Sequence, residues 1–189
     1  DLGEGTQAQV LTHGRDGAQP LAEHLEALGT LGLTHQRQVL EWARIEPEPG
    51  RRDPEAVEAI DRSLRDARDA GIRTWACLHD GSLPGWFSVD EPGFAEDRTR
   101  RYWWARHCEY VAETFGTLVH GWVPTFEPNR WALRGFLAGS GPPGRRDDGD
   151  AFGRALRGVH LGSIEAALLL RQGGRPVAAA PWSSPFIPA

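Results

Sequence analysis

Strand-like and helix-like stretches alternate along this chain at the spacing of a βα repeat, which restricts it to α/β architecture with parallel strands. Strand patterns fall at residues 34–40, 72–78, 119–126 and 176–180. Residues 21–31 carry Leu21, Leu25, Leu28 and Leu31 on one helical stripe. Asp53 followed by Pro54 reads as a helix N-cap with proline at the first helical position. The helix they open puts Val57, Ile60, Leu64 and Ala67 on one face and stops at Gly71. Residues 97–115 form the next helix, closed by Gly116. Residues 151–170 form another after an irregular stretch rich in Gly and Pro.

Four strands with helices between them predict part of a (β/α)8 TIM barrel. A complete barrel takes roughly 250 residues, and the chain has 189, so about half a barrel is expected. An open edge of parallel strands exposes unpaired backbone groups. The missing strands are therefore expected in the parent protein or in parts of it not included here. A doubly wound open sheet is the rival architecture, but it calls for a Gly-rich phosphate loop after its first strand, and none is present.

Composition narrows the function classes. With 40% hydrophobic and 25% charged residues the chain reads as one globular domain, residues 1–189. A net charge of −5 gives no basic footprint for nucleic acid. No run of 18 apolar residues suggests a membrane span, and no signal peptide is visible. The chain contains no Met, which predicts that its natural start is missing. All 21 basic residues are Arg, so lysine Schiff-base chemistry is excluded from this segment. Cys77 and Cys108 make neither a disulfide framework nor a metal motif. They read as buried thiols in a reducing compartment, so a cytoplasmic location is expected.

In a parallel barrel the catalytic groups sit where strands end and βα loops begin. Four such places are legible: Arg37 with Trp42 and Arg44 beyond it, the stretch from Leu78 through His79 and Asp80 to Pro84, the stretch from Trp122 to Pro128, and Ala180 to Ser183. Glu127 closes an apolar strand, and the Pro128 that follows is expected to hold it extended. A carboxylate at a barrel mouth, flanked by Phe126 and Trp131, has the apolar setting of a general acid. A surface glutamate at a turn fits the same spacing.

These motifs resemble glycoside hydrolase family 1. Trp122 to Pro128 is similar to that family's Trp-hydrophobic-Thr-Phe-Asn-Glu-Pro strand, and Ala132, Gly135-Phe136, Gly139 and Pro143-Gly144 keep its spacing downstream. Upstream, Arg37 to Pro47 resembles the Arg-Phe-Ser-Ile-x-Trp-x-Arg-Ile-x-Pro segment, and Leu78 to Pro84 sits where the family has Leu-Tyr-His-Trp-Asp-Leu-Pro. Val159 to Arg171 matches the helix that follows. Related barrel glycosidases share the strand end, so the clan is more secure than the family. The resemblance implies the N-terminal and central portion of a barrel, roughly strands 2–5. It further implies a retaining β-glucosidase-like enzyme that takes a small carbohydrate or glycoside, with no metal or cofactor. Glu127 matches the acid/base, and Arg37 the arginine that orients the nucleophilic carboxylate. Arg44 reads as structural.

The departures matter as much. The family's asparagine, which contacts the sugar 2-hydroxyl, is Phe126 here, and its sugar-binding histidine is Asp80. A one-residue shift would put His79 in that role, but Leu83-Pro84 anchors the register. Adjacent strand residues face opposite sides, so His79 and Asp80 are not expected to line one pocket together. Retaining enzymes need a second carboxylate about 5–5.5 Å from the acid, and the strand that supplies it in the family is not reached here. Asp80 is a candidate for a different carboxylate pair with Glu127, and a solvated loop position is its commoner state. Of eight tryptophans, Trp42, Trp75, Trp103, Trp104 and Trp122 read as core, and Trp86, Trp131 and Trp182 as sugar platforms. Asp147, Asp148 and Asp150 resemble a cation loop without its remaining ligands, which predicts a solvated loop. Two functions remain open: a retaining glycosidase, or a barrel with lost or altered activity that binds sugar.

Overall fold

The computed structural model describes residues 29–183. Three parallel strands form the sheet in the order β1 (His35–Val39), β2 (Arg73–His79), β3 (Gly121–Thr125). Their registers pair Arg37 with Trp75, Val39 with Cys77, and His79 with Thr125. The crossover between β1 and β2 contains the short helix α1 (Trp42–Ile45) and the long α2 (Pro54–Asp69). The expected cap is there: the Asp53 carboxylate accepts from the backbone N–H of Glu55 at 2.9 Å and Ala56 at 3.3 Å. Leu64 and Ala67 are buried, Val57 and Ile60 pack on the core, and Gly71 takes φ +77° to turn into β2. Of the expected helix over residues 21–31, Leu21, Leu25 and Leu28 lie outside the described residues; residues 29 and 30 are helical.

The expected helix over 97–115 is not continuous. It runs as α3 (Asp97–Thr99), a π-turn (Arg100–Trp104) and α4 (Ala105–Phe115). Arg100 and Trp104, four residues apart, both face inward. Arg100 is fully buried yet satisfied, with Asp97 at 2.6 Å and Glu165 at 3.0 Å, and the Trp104 indole donates to the Gly162 carbonyl at 2.9 Å. Both Glu165 and Gly162 lie on the last helix, which here takes the label α6 (Gly149–Leu170). This helix therefore clamps the π-turn. Its buried face is Ala151, Ala155, Gly158, Val159, Gly162, Ala166 and Leu170, small enough that the Phe94 segment lies directly against it.

After β3 come α5 (Pro128–Ala132) and a further π-turn (Leu133–Leu137), the other two lying at Trp86–Asp90 and Arg100–Trp104. The expected strand at 176–180 is reduced to two parallel bridges, Val177 to Trp122 and Ala180 to Phe126. Prolines at 176 and 181 bracket the segment and remove ladder donors. It still follows β3 as a fourth extended edge, with the Trp122 N–H donating to the Pro176 carbonyl at 2.9 Å and the Glu127 N–H to that of Ala180 at 2.7 Å. The core lies between sheet and helices, built on Trp42, Trp104, Trp122, Phe87, Phe94 and Phe115. Its strand ends all open on one side, where the candidate site lies.

Candidate active site

Glu127 sits at the junction of β3 and α5, with Pro128 at the first helical position. Its backbone is left-handed, φ +46° and ψ +50°, which corrects the expected extended conformation. The proline only bars the right-handed helical basin to the residue before it. The left-handed basin meets the same restriction, and it is fixed by hydrogen bonds on both sides. The N–H of Glu127 donates to the Ala180 carbonyl, and its own carbonyl accepts from the Trp131 N–H at 3.0 Å. A non-glycine residue held in this basin is strained, a condition that clusters at functional sites. The carboxylate oxygen Oε2 accepts from Arg130 at 2.8 Å, and the side chain is about a quarter exposed (26%).

The cleft beside it encloses about 570 Å³, within the range for small-molecule sites. Glu127, Phe126, Asp80 and Trp131 all line it, so four of the expected residues converge. Arg37 meets two of them from β1. Its Nη1 donates to Asp80 Oδ2 at 2.6 Å, and its guanidinium lies 3.9 Å over the Phe126 ring. Asp80, partly exposed just beyond β2, is the partner of Arg37. The two departures from the family pattern thus belong to one unit. Arginine is well suited to bind a carboxylate and stack on an aromatic face at once. Arg44 pairs with Glu41 at 3.5 Å, the kind of ion pair expected of a structural arginine.

Asp80 lines the cleft and His79 does not. His79 is fully buried beside Phe94 and Trp131, its Nε2 without a hydrogen-bond partner. His107 is buried too, stacked on Trp42 with ring centroids 4.5 Å apart and both ring nitrogens unpartnered. Burial pushes the His79 imidazole down to about 4, and burial together with the Arg52 charge pushes His107 down to about 3. Both folded values lie below the unfolded value of about 6.5. The unfolded chain therefore takes up more protons below that pH, and stability present near neutrality is lost as pH falls from about 6.5 toward 4. Each ring is expected to cost about 2 kcal/mol between pH 7 and pH 5. Urea unfolding at the two pH values checks this: His107→Phe should flatten the dependence, and a flat profile in the parent chain would contradict it.

The tryptophans divide differently from the sequence reading. Trp86 is core rather than a platform, buried edge-on against Trp42 and Trp103 with its indole donating to the Glu46 carbonyl at 3.0 Å. It follows a strand end, but the chain folds back and covers it. Trp131 does line the cleft. Trp182 is partly exposed and bound through its backbone to the Asn129 side chain, outside the cleft lining. Asp148 is more than a loop residue: it caps α6 by accepting from the Ala151 N–H at 3.0 Å, which lowers its pKa. Cys77 and Cys108 are free and buried, and burial raises both thiols, Cys77 to about 11.

Sequence reasoning missed three lining residues, Glu41, Arg130 and Arg134. Glu41 comes two residues after β1, a strand-end position as legible as that of Glu127. Arg130 and Arg134 follow Glu127 at helical spacing, which puts them over the same opening. No group of three or more His, Cys, Asp or Glu residues that would hold a metal occurs among the described residues.

Parallel strand ends converging on a carboxylate-lined cleft are the arrangement of a TIM-barrel segment. The sequence profile of glycosyl hydrolase family 1 matches residues 8–174, and the chain belongs to that family. It is 30% identical over 151 residues to beta-glucosidase A of Thermotoga maritima, covering 79% of this chain and 33% of that protein. It is 28% identical over 131 residues to a 1,4-beta-D-glucan glucohydrolase of Thermotoga neapolitana, covering 69% and 30%. The T. maritima beta-glucosidase in complex with cyclophellitol superposes with a TM-score of 0.77 at 26% identity, over 83% of this chain and 36% of that one. The chain thus spans about a third of the length of the curated relatives it matches.

Proposed function

We propose that this segment supplies the acid/base half of a retaining β-glycosidase site, with Glu127 as proton donor and a nucleophile from a strand outside it. The observation that supports this most is Glu127 itself, held in a strained turn at the end of β3 and facing a cleft of ligand size. In such a reaction the acid protonates the departing oxygen, and its conjugate base then activates water against the glycosyl-enzyme intermediate. The substrate is a small carbohydrate or glycoside, bound beside Trp131, Phe126 and Asp80. Arg37 acts here through Asp80, which it holds in the cleft lining. The segment forms part of a single barrel domain. Buried free thiols support a reducing, cytoplasmic setting, and no helix among the described residues is long and apolar enough to cross a membrane. Neither nucleic acid nor membrane is a partner in this reading.

One observation favours a second reading, a barrel that binds sugar with little turnover. Phe126 offers no hydrogen bond where the family pattern has a group for the sugar 2-hydroxyl, an interaction worth several kcal/mol in glycosidase transition states. Turnover of 4-nitrophenyl β-glucoside by the complete protein is therefore expected to be weak, and Phe126→Asn should raise kcat/KM at least about tenfold. Efficient hydrolysis by the parent protein would show that Phe126 is no handicap. Binding without any phenol release in either form would favour the second reading.

A further inference from the structure

The charges around the cleft pair off with one exception. Asp80 is matched by Arg37 and Glu127 by Arg130, while Glu41 has Arg44 at 3.5 Å without a hydrogen bond to its buried Oε2. Arg134 lines the same cleft and has no carboxylate partner among the described residues. Its hydrogen bond is a long one, from Nη2 to the Ser140 carbonyl at 3.3 Å, which leaves most of its donors unused. It stands one turn beyond Arg130 and lies beside Gly141, which lines the same cleft.

We propose that Arg130 and Arg134 form an anion-binding wall that takes a carboxylate, sulfate or phosphate on the aglycone of the glycoside. A guanidinium presents paired N–H donors matched to such oxyanions. Arg134 is thus the cleft-lining cation without a carboxylate of its own among the described residues. Placing the anion on the aglycone rests on the reading of Glu127 as acid, because the acid lies on the leaving-group side and Arg130 touches its Oε2. Arg130 keeps one side of its fork on that carboxylate, so Arg134 carries the larger share of anion recognition.

The test is a set of dissociation constants measured on this chain by ligand-observed NMR. The probes are 4-carboxyphenyl β-glucoside, its neutral 4-hydroxymethylphenyl counterpart, and 4-hydroxybenzoate, which has no sugar. The carboxylated glucoside is expected to bind about fivefold more tightly than the neutral one at low salt, as suits a partly exposed pair. That advantage should vanish in Arg134→Gln, persist in part in Arg134→Lys, and shrink at about 0.5 M NaCl. Absence of Arg134-dependent binding for both anionic probes overturns the proposal. Equal binding of the two glucosides overturns it while leaving the sugar reading intact. Arg134-dependent binding of 4-hydroxybenzoate, with no gain from an attached sugar, supports the wall and counts against the glycosidase reading instead.

Discussion

Replacing Glu127 with glutamine is expected to lower kcat/KM for β-glycosides with poorly acidic leaving groups in the complete protein by about 10²–10⁴-fold, the usual contribution of a positioned general acid or base. Glutamine keeps the size and the hydrogen-bonding reach of the side chain but has no acidic proton to transfer. The backbone turn should survive, because it is held by the Glu127 N–H on Ala180 and the Glu127 carbonyl on Trp131, not by the carboxylate. A circular dichroism spectrum and unfolding midpoint close to those of the parent would separate lost chemistry from lost structure. The Arg130 contact to Oε2 will weaken, but at this exposure an ion pair is worth at most about 1 kcal/mol. That is too small to account for the larger losses, which belong to proton transfer.

The largest expected effect on folding comes from Gly158. A Cβ there would stand 1.6 Å from the Phe94 carbonyl oxygen, far inside contact distance, and the obstacle is backbone with no rotamer to move. Gly158→Ala is expected to destabilise the chain by about 3 kcal/mol as α6 is pushed off the Phe94 segment. A methyl group added at Gly153, on the same helix, would meet nothing within 4 Å. Gly153→Ala should instead stabilise by about 0.5–1 kcal/mol, the ordinary gain from alanine in a helix. Urea unfolding of the two variants checks the pair, and equal midpoints would contradict the packing described for α6. The same displacement would disturb the Trp104 indole on Gly162 and the Arg100 contacts to Glu165.

How much of the molecule is legible in its sequence depends on the range of the interactions concerned. The strands and the α2 cap follow from local patterns, because alternation, Asp53-Pro54 and Gly71 act over a few residues. The π-turns are not legible. Arg100 turns inward only because Glu165, 65 residues later, is there to receive it. The bend at Glu127 is half legible: Pro128 excludes one basin, but the choice of the left-handed one depends on Ala180 across the sheet. Trp86 is misread from sequence because its strand-end position says nothing about the segment that folds over it. The site residues Glu127, Phe126, Asp80 and Trp131 are marked by their strand ends, and they do converge. Their pairing is hidden. Arg37 comes from β1, Asp80 from the end of β2 and Phe126 from the end of β3, and only the parallel registers bring the three together.

That unit also reframes the departures from the family pattern. Phe126 and Asp80, read one at a time, look like two separate losses of sugar-binding groups. In the structure they share one guanidinium. A change at either position would release Arg37 to the other, so their effects on binding are expected to be coupled and not additive.

The most direct test of Glu127 as proton donor is the dependence of rate on leaving group. Hydrolysis of a series of aryl β-glucosides by the complete protein should be compared with that by its Glu127→Gln variant. A poor leaving group needs the proton and a good one, such as 2,4-dinitrophenolate, does not. The loss on substitution should therefore grow steadily as the phenol becomes a weaker acid, and be small for the dinitrophenyl substrate in the glycosylation step. A loss of the same size across the whole series would contradict the assignment.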